Sequence, residues 1–438
     1  MPILSKEQAQ EILKKALAFS KADECEVRLS GSEGGNIRYA RNAVSTAGDI
    51  SSMSMAVSSS FGKKTGTATI NEFDDSSLEK VIRRAEELAQ LAPENPEYVA
   101  LLGPQAYDNP VSYVQATANM NPDIRAEAVR KSLEVAKQGK LEAAGYLENS
   151  TGFNAMLNSK GLFAYNTDTD VSFSVTMRNA AGTGSGYADK SYNDVSKLDT
   201  LKLSQVSAAK ANGSAAAKAI EPGKYTVILE PLAASDMLGN LVRAFDARSA
   251  DEGRSYLSKK GGGTRLGEQL FDEKVTIYSD PLNKDLPGAT WSGDGRPQKR
   301  VTWVDKGVIK NLSYSRYWAQ EKKVEGVPPA GRILMEGGTA SLEDMIKNTE
   351  KGILVTRFWY IRMVDPQTLL LTGLTRDGTF YIENGKIQFP IKNFRFNESP
   401  VIMLNNVEQL GKPERTGSMI VPPMKIRDFT FTSLSDAV

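Results

Sequence analysis

The chain contains no histidine, and of all its absences this one excludes the most. Without imidazole it lacks the commonest general base near neutral pH, the commonest zinc ligand, and every Ser-His or Cys-His catalytic pair. Any chemistry of its own must come from carboxylates, Lys, Tyr, Ser or Thr, or from a partner. Cysteine is nearly as scarce. Cys25 is the only one in 438 residues, so no intrachain disulfide forms and a reducing compartment, the cytoplasm, is expected. It sits in "ECEVRLS" and reads as a small core residue. Neither sign of charge is in excess: 54 Lys and Arg against 53 Asp and Glu leave a formal net charge of +1, with no long run of one sign. That balance argues for no nucleic-acid partner and no membrane partner. No window approaches the roughly 18 apolar residues of a membrane span. The start, "MPILSKEQAQ", lacks the basic and apolar regions of a signal peptide.

What is present is a globular composition, 40% hydrophobic and 24% charged, long enough for two or three domains. Ser5 with Gln8 forms a capping-box pattern, and Ala9, Ile12, Leu13, Ala16 and Leu17 fall on one face, predicting a helix over 5–20. Short strand-like runs follow in "ECEVRLS", "NIRYARN", "SSMSMAVSSS" and "KTGTATINEF". A second helix is expected over 76–92, opened by Ser76 with Glu79. The Pro- and Asn-rich stretch 93–122 reads as a long connection to a third helix over 123–138. The alternation from "KLEAAGYLENST" to "GYADKSY" predicts an antiparallel meander, and a helix over 199–219 then ends the first half.

A domain boundary is placed near Ile220. The later runs are mostly strand-like, with hairpin signals at Asp305-Lys306-Gly307 and Glu383-Asn384-Gly385. Helices there are few, chiefly 232–248 and 341–351. The expected class is α+β: a mixed α/β domain over 1–219, then a domain over 220–438 dominated by a large twisted antiparallel β-sheet.

Candidate chemistry is sparse. "KKGGGTRLG", 259–267, lacks the spacing and the following helix of a phosphate loop, and "GTGSG", 182–186, lacks the strand-loop-helix frame of a dinucleotide fingerprint. Asp246, Asp251 and Glu252 cluster among Arg243, Arg248 and Arg254. They form either a hard-metal or acid/base site or a salt-bridge network at a helix end. "TRFWYIRM", 356–363, alternates as a strand, with Arg357 and Arg362 on opposite faces. Edge-strand pairing would let it line a cleft for an extended peptide, with Arg357, Tyr360, Arg362, Thr372, Gly373 and Arg376 as candidates; the competing reading is an ordinary half-buried strand.

The order of "YTVILEP", "SYLSKKGGGTRLGEQL", "KRVTWVDKGVIKNLSYSRYWA", "KGILVTRF" and "LLLTGLTRDGTFYIENGKIQFPI" resembles the TldD/PmbA proteins, also called modulators of DNA gyrase. Members of the PmbA (TldE) branch carry a T-G-x-x-x-R-G-x-x-G-F-W-V-E-N-G-like segment, matched here by Thr372, Gly373, Arg376, Gly378, Phe380, Glu383, Asn384 and Gly385. The resemblance implies a two-domain fold assembled as dimers. For the TldD branch it implies a zinc peptidase, with H-E-x-x-x-H on a helix and a later Cys in a C-G-K setting. Laying "MLGNLVRAFDARSADEG", 237–253, on that helix puts Gly239 and Asn240 at the His and Glu positions and Ala244 at the second His; Leu410 stands at the Cys position. The resemblance therefore implies a PmbA/TldE-like, non-catalytic subunit with no metal or cofactor of its own. Zinc is expected in a TldD-like catalytic partner, and unfolded peptide is the expected substrate, with a homodimer as the alternative assembly. Two other readings stay open: a stand-alone hydrolase built on Asp246, Asp251 and Glu252, and a regulatory binding protein related to gyrase modulation.

Overall fold

A computed structural model describes residues 3–435. The first half contains α1 (Lys6–Ala18), β1 (Glu24–Ala40), β2 (Ala43–Phe61), β3 (Lys64–Ile70) and α2 (Asp75–Leu91). It continues with α3 (Gln115–Ala118), α4 (Pro122–Gly139), β4 (Leu141–Asn158), β5 (Phe163–Asn179), β6 (Ser185–Tyr192) and α5 (Thr200–Gly213). The strands form one antiparallel sheet in the order β3-β2-β1-β4-β5-β6. The separate runs "ECEVRLS" and "NIRYARN" are one strand, continuous through Gly31–Gly35. Glycine is required there, since a Cβ on Gly34 would lie 2.1 Å from the Asn149 carbonyl of β4.

Burial follows the two-residue period. Cys25, Val27, Leu29, Ile37 and Tyr39 of β1 share one face with Phe173, Val175 and Met177 of β5, and α1, α2, α4 and α5 cover it. Among the described residues no helix of the first half covers the opposite face. It carries Asn154, Asn166, Asp168, Tyr187 and Asp189, and it looks toward the second half of the chain.

The α1 capping box of Ser5 and Gln8 is present. At α2 the cap is Asp74, whose carboxylate accepts the Ser77 N–H at 3.0 Å, so the expected Ser76–Glu79 start is displaced by a stronger capping residue upstream. Helix α5 stops at Gly213 rather than Ala219; its last residues give way to an exposed connection.

The second half contains β7 (Lys224–Leu229), α6 (Pro231–Arg243), α7 (Ala247–Asp251), β8 (Ile277–Ser279), β9 (Val301–Asp305) and β10 (Val308–Ile309). Then come α8 (Arg316–Lys322), β11 (Ile333–Met335), α9 (Leu342–Lys347), β12 (Lys351–Asp365), β13 (Leu370–Glu383) and β14 (Lys386–Pro390). The chain ends with β15 (Phe394–Glu398), α10 (Pro400–Asn405), β16 (Val407–Leu410), β17 (Glu414–Thr416), β18 (Met419–Val421) and β19 (Met424–Leu434). The class is α+β, as expected. Strand β12 pairs with β7 and with β13, so β12, β7, β19, β15 and β13 close into a ring around Val227, Leu229, Ile353, Val355, Phe394, Phe396, Phe429 and Phe431. Every pairing in that sheet is antiparallel except β7 with β12. A smaller sheet, β10-β9-β8-β11-β18-β17, stands beside it. Both expected hairpins form, with Lys306, Gly307, Asn384 and Gly385 all at positive φ.

The expected helix over 232–248 is interrupted. Ser313 donates to the Phe245 carbonyl and accepts from the Ala247 N–H, drawing the chain out of the helix, and Asp246 then caps α7.

Candidate functional site

Two adjoining cavities, of about 450 and 500 Å³, open between the helix-free face of β6 and the α6–β12 side of the second half. They share Asp189, Leu232 and Thr416, so they form one cleft. The amphipathic helix α6 turns Met237, Leu238 and Leu241 into the core and presents Asp236, Gly239, Asn240 and Arg243 to the cleft. The opposite wall comes from β6 with Tyr187, Asp189 and Lys190, and the floor from β12 with Thr356, Phe358, Trp359 and Tyr360.

Charged groups are concentrated at this junction. The Asp236 carboxylate accepts the Phe358 backbone N–H at 3.0 Å. Burial pushes its carboxyl up to about 7; the Phe358 N–H and the Arg357 charge pull down, and the Asp189 charge adds to the push. The Asp189 carboxyl is also raised by burial, opposed by Lys190, Arg357 and Lys210. Below them Arg357 donates from Nε to the fully buried Asp377 at 2.7 Å, and Ser185 of β6 donates to the other Asp377 oxygen. The Arg357 guanidinium lies 3.8 Å from the centre of the Tyr187 ring, and Arg376 lies 4.8 Å from that of Trp359. Lys210 of α5 pairs with Glu230 at 2.6 Å, and Thr356 donates to the same carboxylate at 3.3 Å.

Some expected site residues gather here. Arg357 and Arg376 are cross-strand partners, and Tyr360 lines the cleft. Arg362 does not lie opposite Arg357. Tyr360 is an extra residue at φ 55°, a bulge in β12, so that Arg362 pairs with Thr372 while Arg357 pairs with Arg376. Thr372 and Arg376 face the same way, and the bulge therefore turns Arg362 to the face of Arg357, where it stacks 4.2 Å from the Tyr360 ring. Thr372 and Gly373 are outside the cleft lining: the Thr372 hydroxyl donates to the Phe396 carbonyl, and a Cβ on Gly373 would meet the Phe396 ring at 2.7 Å.

The carboxylates Asp246, Asp251 and Glu252 do not converge. Asp246 accepts the Ser249 N–H, Asp251 accepts the Trp318 indole N–H at 2.9 Å and pairs with Lys322, and Glu252 lies between Arg248 and Arg254. Among the described residues no three His, Cys, Asp or Glu side chains approach as a metal-binding group. Nor does the α6 wall supply the donors zinc needs, since Gly239 and Ala244 offer no side-chain donor and Asn240 offers an amide. Leu410 is equally inert.

Sequence reasoning missed Asp236, Asp189 and Asp377. One signal was there to read: Asp236, Asn240 and Arg243 recur at helical spacing and form a polar stripe on an otherwise apolar helix. Asp189 and Asp377 become neighbours of Arg357 only through tertiary contacts.

Two family models match the chain, the PmbA/TldA metallopeptidase C-terminal domain over residues 222–433 and the PmbA/TldA metallopeptidase domain 1 over 25–89. The metalloprotease PmbA of Escherichia coli O157:H7 is 23% identical, over 97% of this chain and 98% of that one. The TldE crystal structure from Thermococcus kodakarensis superposes with a TM-score of 0.86 at 18% identity, covering 97% of this chain and 99% of its own. A solved Bacteroides thetaiotaomicron protein named for DNA gyrase modulation gives 0.85 at 21% identity, covering 99% and 100%. With both halves matched by domain models of one family and the fold shared along almost the whole length, the chain belongs to the TldD/PmbA family.

Proposed function

We propose that this chain is the non-catalytic, PmbA/TldE-like subunit of a TldD/TldE-type metallopeptidase complex that processes or degrades unfolded peptides in the cytoplasm. One observation carries the reading: the helix at the position of the family's zinc helix lines the cleft, yet it presents Gly239, Asn240 and Asp236 instead of imidazoles. Such a wall can bind and orient a chain, but it cannot acidify water through zinc. Edge strand β6 and the aromatic side chains of Trp359 and Tyr360 suit an extended peptide. The catalytic groups would come from a TldD-like partner carrying H-E-x-x-x-H.

The test is to purify the chain alone and after co-expression with such a partner, then measure bound zinc and cleavage of an unfolded peptide. The chain alone is expected to hold negligible zinc and cleave nothing, and the co-purified pair to hold zinc and cleave. Stoichiometric zinc with robust cleavage by the isolated chain would refute the assignment. The carboxylate hydrolase reading is not favoured, because Asp246, Asp251 and Glu252 are each held by a cap or an ion pair.

A further inference from the structure

Strand β2 leaves a long part of its outer side open. Strand β3 pairs with it only from Met55 to Phe61, so before Met55 the strand has β1 on its inner side and, among the described residues, no strand on the other. Residues 43–52 are exposed without a break. The pairing with β1 slips once, at Ser45, and from Thr46 to Ser54 its register is regular.

Edge strands are ordinarily blunted by Lys, Pro, a bulge or a covering segment, because their outward N–H and C=O groups pair with any strand that meets them. The run "TAGDISSMS", 46–54, has neither Lys nor Pro. Its one charge, Asp49, is answered by Arg125 of α4. Near its middle Ile50 stands 62% exposed. An occupant of this edge must therefore be extended and nearly uncharged, and a basic strand would find no free countercharge there. The same run of a second copy meets both conditions. At about 3.4 Å per residue it is about 30 Å long, and antiparallel pairing along it supplies on the order of ten backbone hydrogen bonds, as many as a whole stable interface carries.

The sheet's other edge is not open in the same way. Ser214, at the end of α5, donates to the Ser185 carbonyl and accepts its N–H, Ser207 donates to the Gly186 carbonyl, and Tyr187 to Tyr192 border the cleft. Growth through β2 alone joins like edges and stops at two copies, where growth through both edges would run on into a fibre.

We propose that two copies of this chain pair antiparallel along 46–54, about a two-fold axis at Ile50, joining their first sheets into one. Ile50 then packs on its own counterpart, Thr46 lies opposite Ser54, and Asp49 lies opposite Ser51, so no like charges meet. The inference rests on this edge and not on the subunit role.

Analytical ultracentrifugation of the full chain tests it. The parent is expected to sediment at twice the chain mass in the micromolar range. Ile50→Lys sets two ammonium groups directly opposite each other and should raise the dissociation constant by about tenfold or more. Ile50→Cys gives a second reading, because the two thiols meet at the axis: a short bis-maleimide should link the copies on a denaturing gel, whereas Cys25 is fully buried and should give no link in the parent. A parent of single-chain mass, a pair that Ile50→Lys does not weaken, or an Ile50→Cys variant that stays unlinked would overturn the proposal. A pair formed only on adding a TldD-like partner would overturn it equally.

Discussion

Arg357 and Asp377 are an ion pair that the fold cannot leave half made. The Asp377 side chain is fully buried, and its charge is answered by Arg357, by the Ser185 hydroxyl and, at 3.8 Å, by Arg376. Arg357→Gln removes the nearer countercharge and leaves the buried carboxylate with Arg376 alone, 3.8 Å away, a loss of up to about 3–5 kcal/mol in urea unfolding. Adding Asp377→Asn should recover a large part of that loss, since an amide needs no countercharge; a fully additive double variant would show that the pair is not coupled. Asp236 gives a second prediction, in pH. Its carboxyl stands at about 7 in the folded chain against an ordinary 3.8, so between those values the folded state binds more protons than the unfolded one. Stability contributed at this site is therefore full below the ordinary value, falls as pH rises through the interval, and is level above about 7. Asp236→Asn cannot ionise, so its urea midpoint should gain on the parent's between about pH 4 and about pH 7 and hold level above that. A gap that stays constant would place Asp236 in an ordinary solvated setting. Cys25 was legible as a core residue because a small apolar side chain in a strand has few alternatives, and it is fully buried. Asp236 was not read, because its proton affinity is raised by burial in the folded chain, and the Phe358 N–H and Arg357 charge that oppose the rise lie more than a hundred residues downstream.

Among elements, those fixed by local chemistry were read well and those bent by distant contacts were not. The α1 box, the α4 helix and both hairpin turns depend on residues within a few positions of one another. The break between α6 and α7 depends on Ser313, and the β12 bulge on its pairing with β13, neither of which a local period contains. Helix α5 gives an element-scale test. It lies so close to β6 that a Cβ on Gly186 would stand 2.1 Å from the Ser207 carbonyl and 2.6 Å from the Ala211 nitrogen, both helix backbone. Backbone cannot step aside as a flexible side chain does. Gly186→Ala must push α5 off the strand, at a cost of about 1–3 kcal/mol. The melting temperature should drop, and the Lys210–Glu230 contact at the cleft, which α5 carries, should loosen. A variant as stable as the parent would mean that α5 is seated less tightly than its backbone distances require.

For the molecule as a whole, the closure of β12 onto β7 and β13 could not be seen in the chain, since it joins Val227 to Ile353 across more than a hundred residues. The buried clusters draw on different stretches of the chain. The large cluster around Phe394, Phe396 and Phe431 draws its buried residues from Val227 onward, while the clusters under α1, α2, α4 and α5 draw theirs from Ala211 and before. Much of what crosses between them is polar: Arg28 to the Gly293 carbonyl, Arg248 with Glu97, Lys190 to the Arg415 carbonyl, Ser185 with Asp377. The apolar crossing is small, Met156 and Leu162 with Leu102, Tyr107 and Trp291. Cores joined mainly through polar contacts unfold with some independence. The four tryptophans, Trp291, Trp303, Trp318 and Trp359, all belong to 220–438, whereas the long helices α1, α2, α4 and α5 belong to 1–219. Tryptophan emission therefore follows the second half, and the helical circular dichroism signal chiefly the first. In urea the two signals should change at different midpoints, and fragments cut at 219/220 should each give a cooperative transition. Coincident midpoints together with fragments that fail to fold would make the chain a single cooperative unit, with the polar seam as strong a part of its stability as either core.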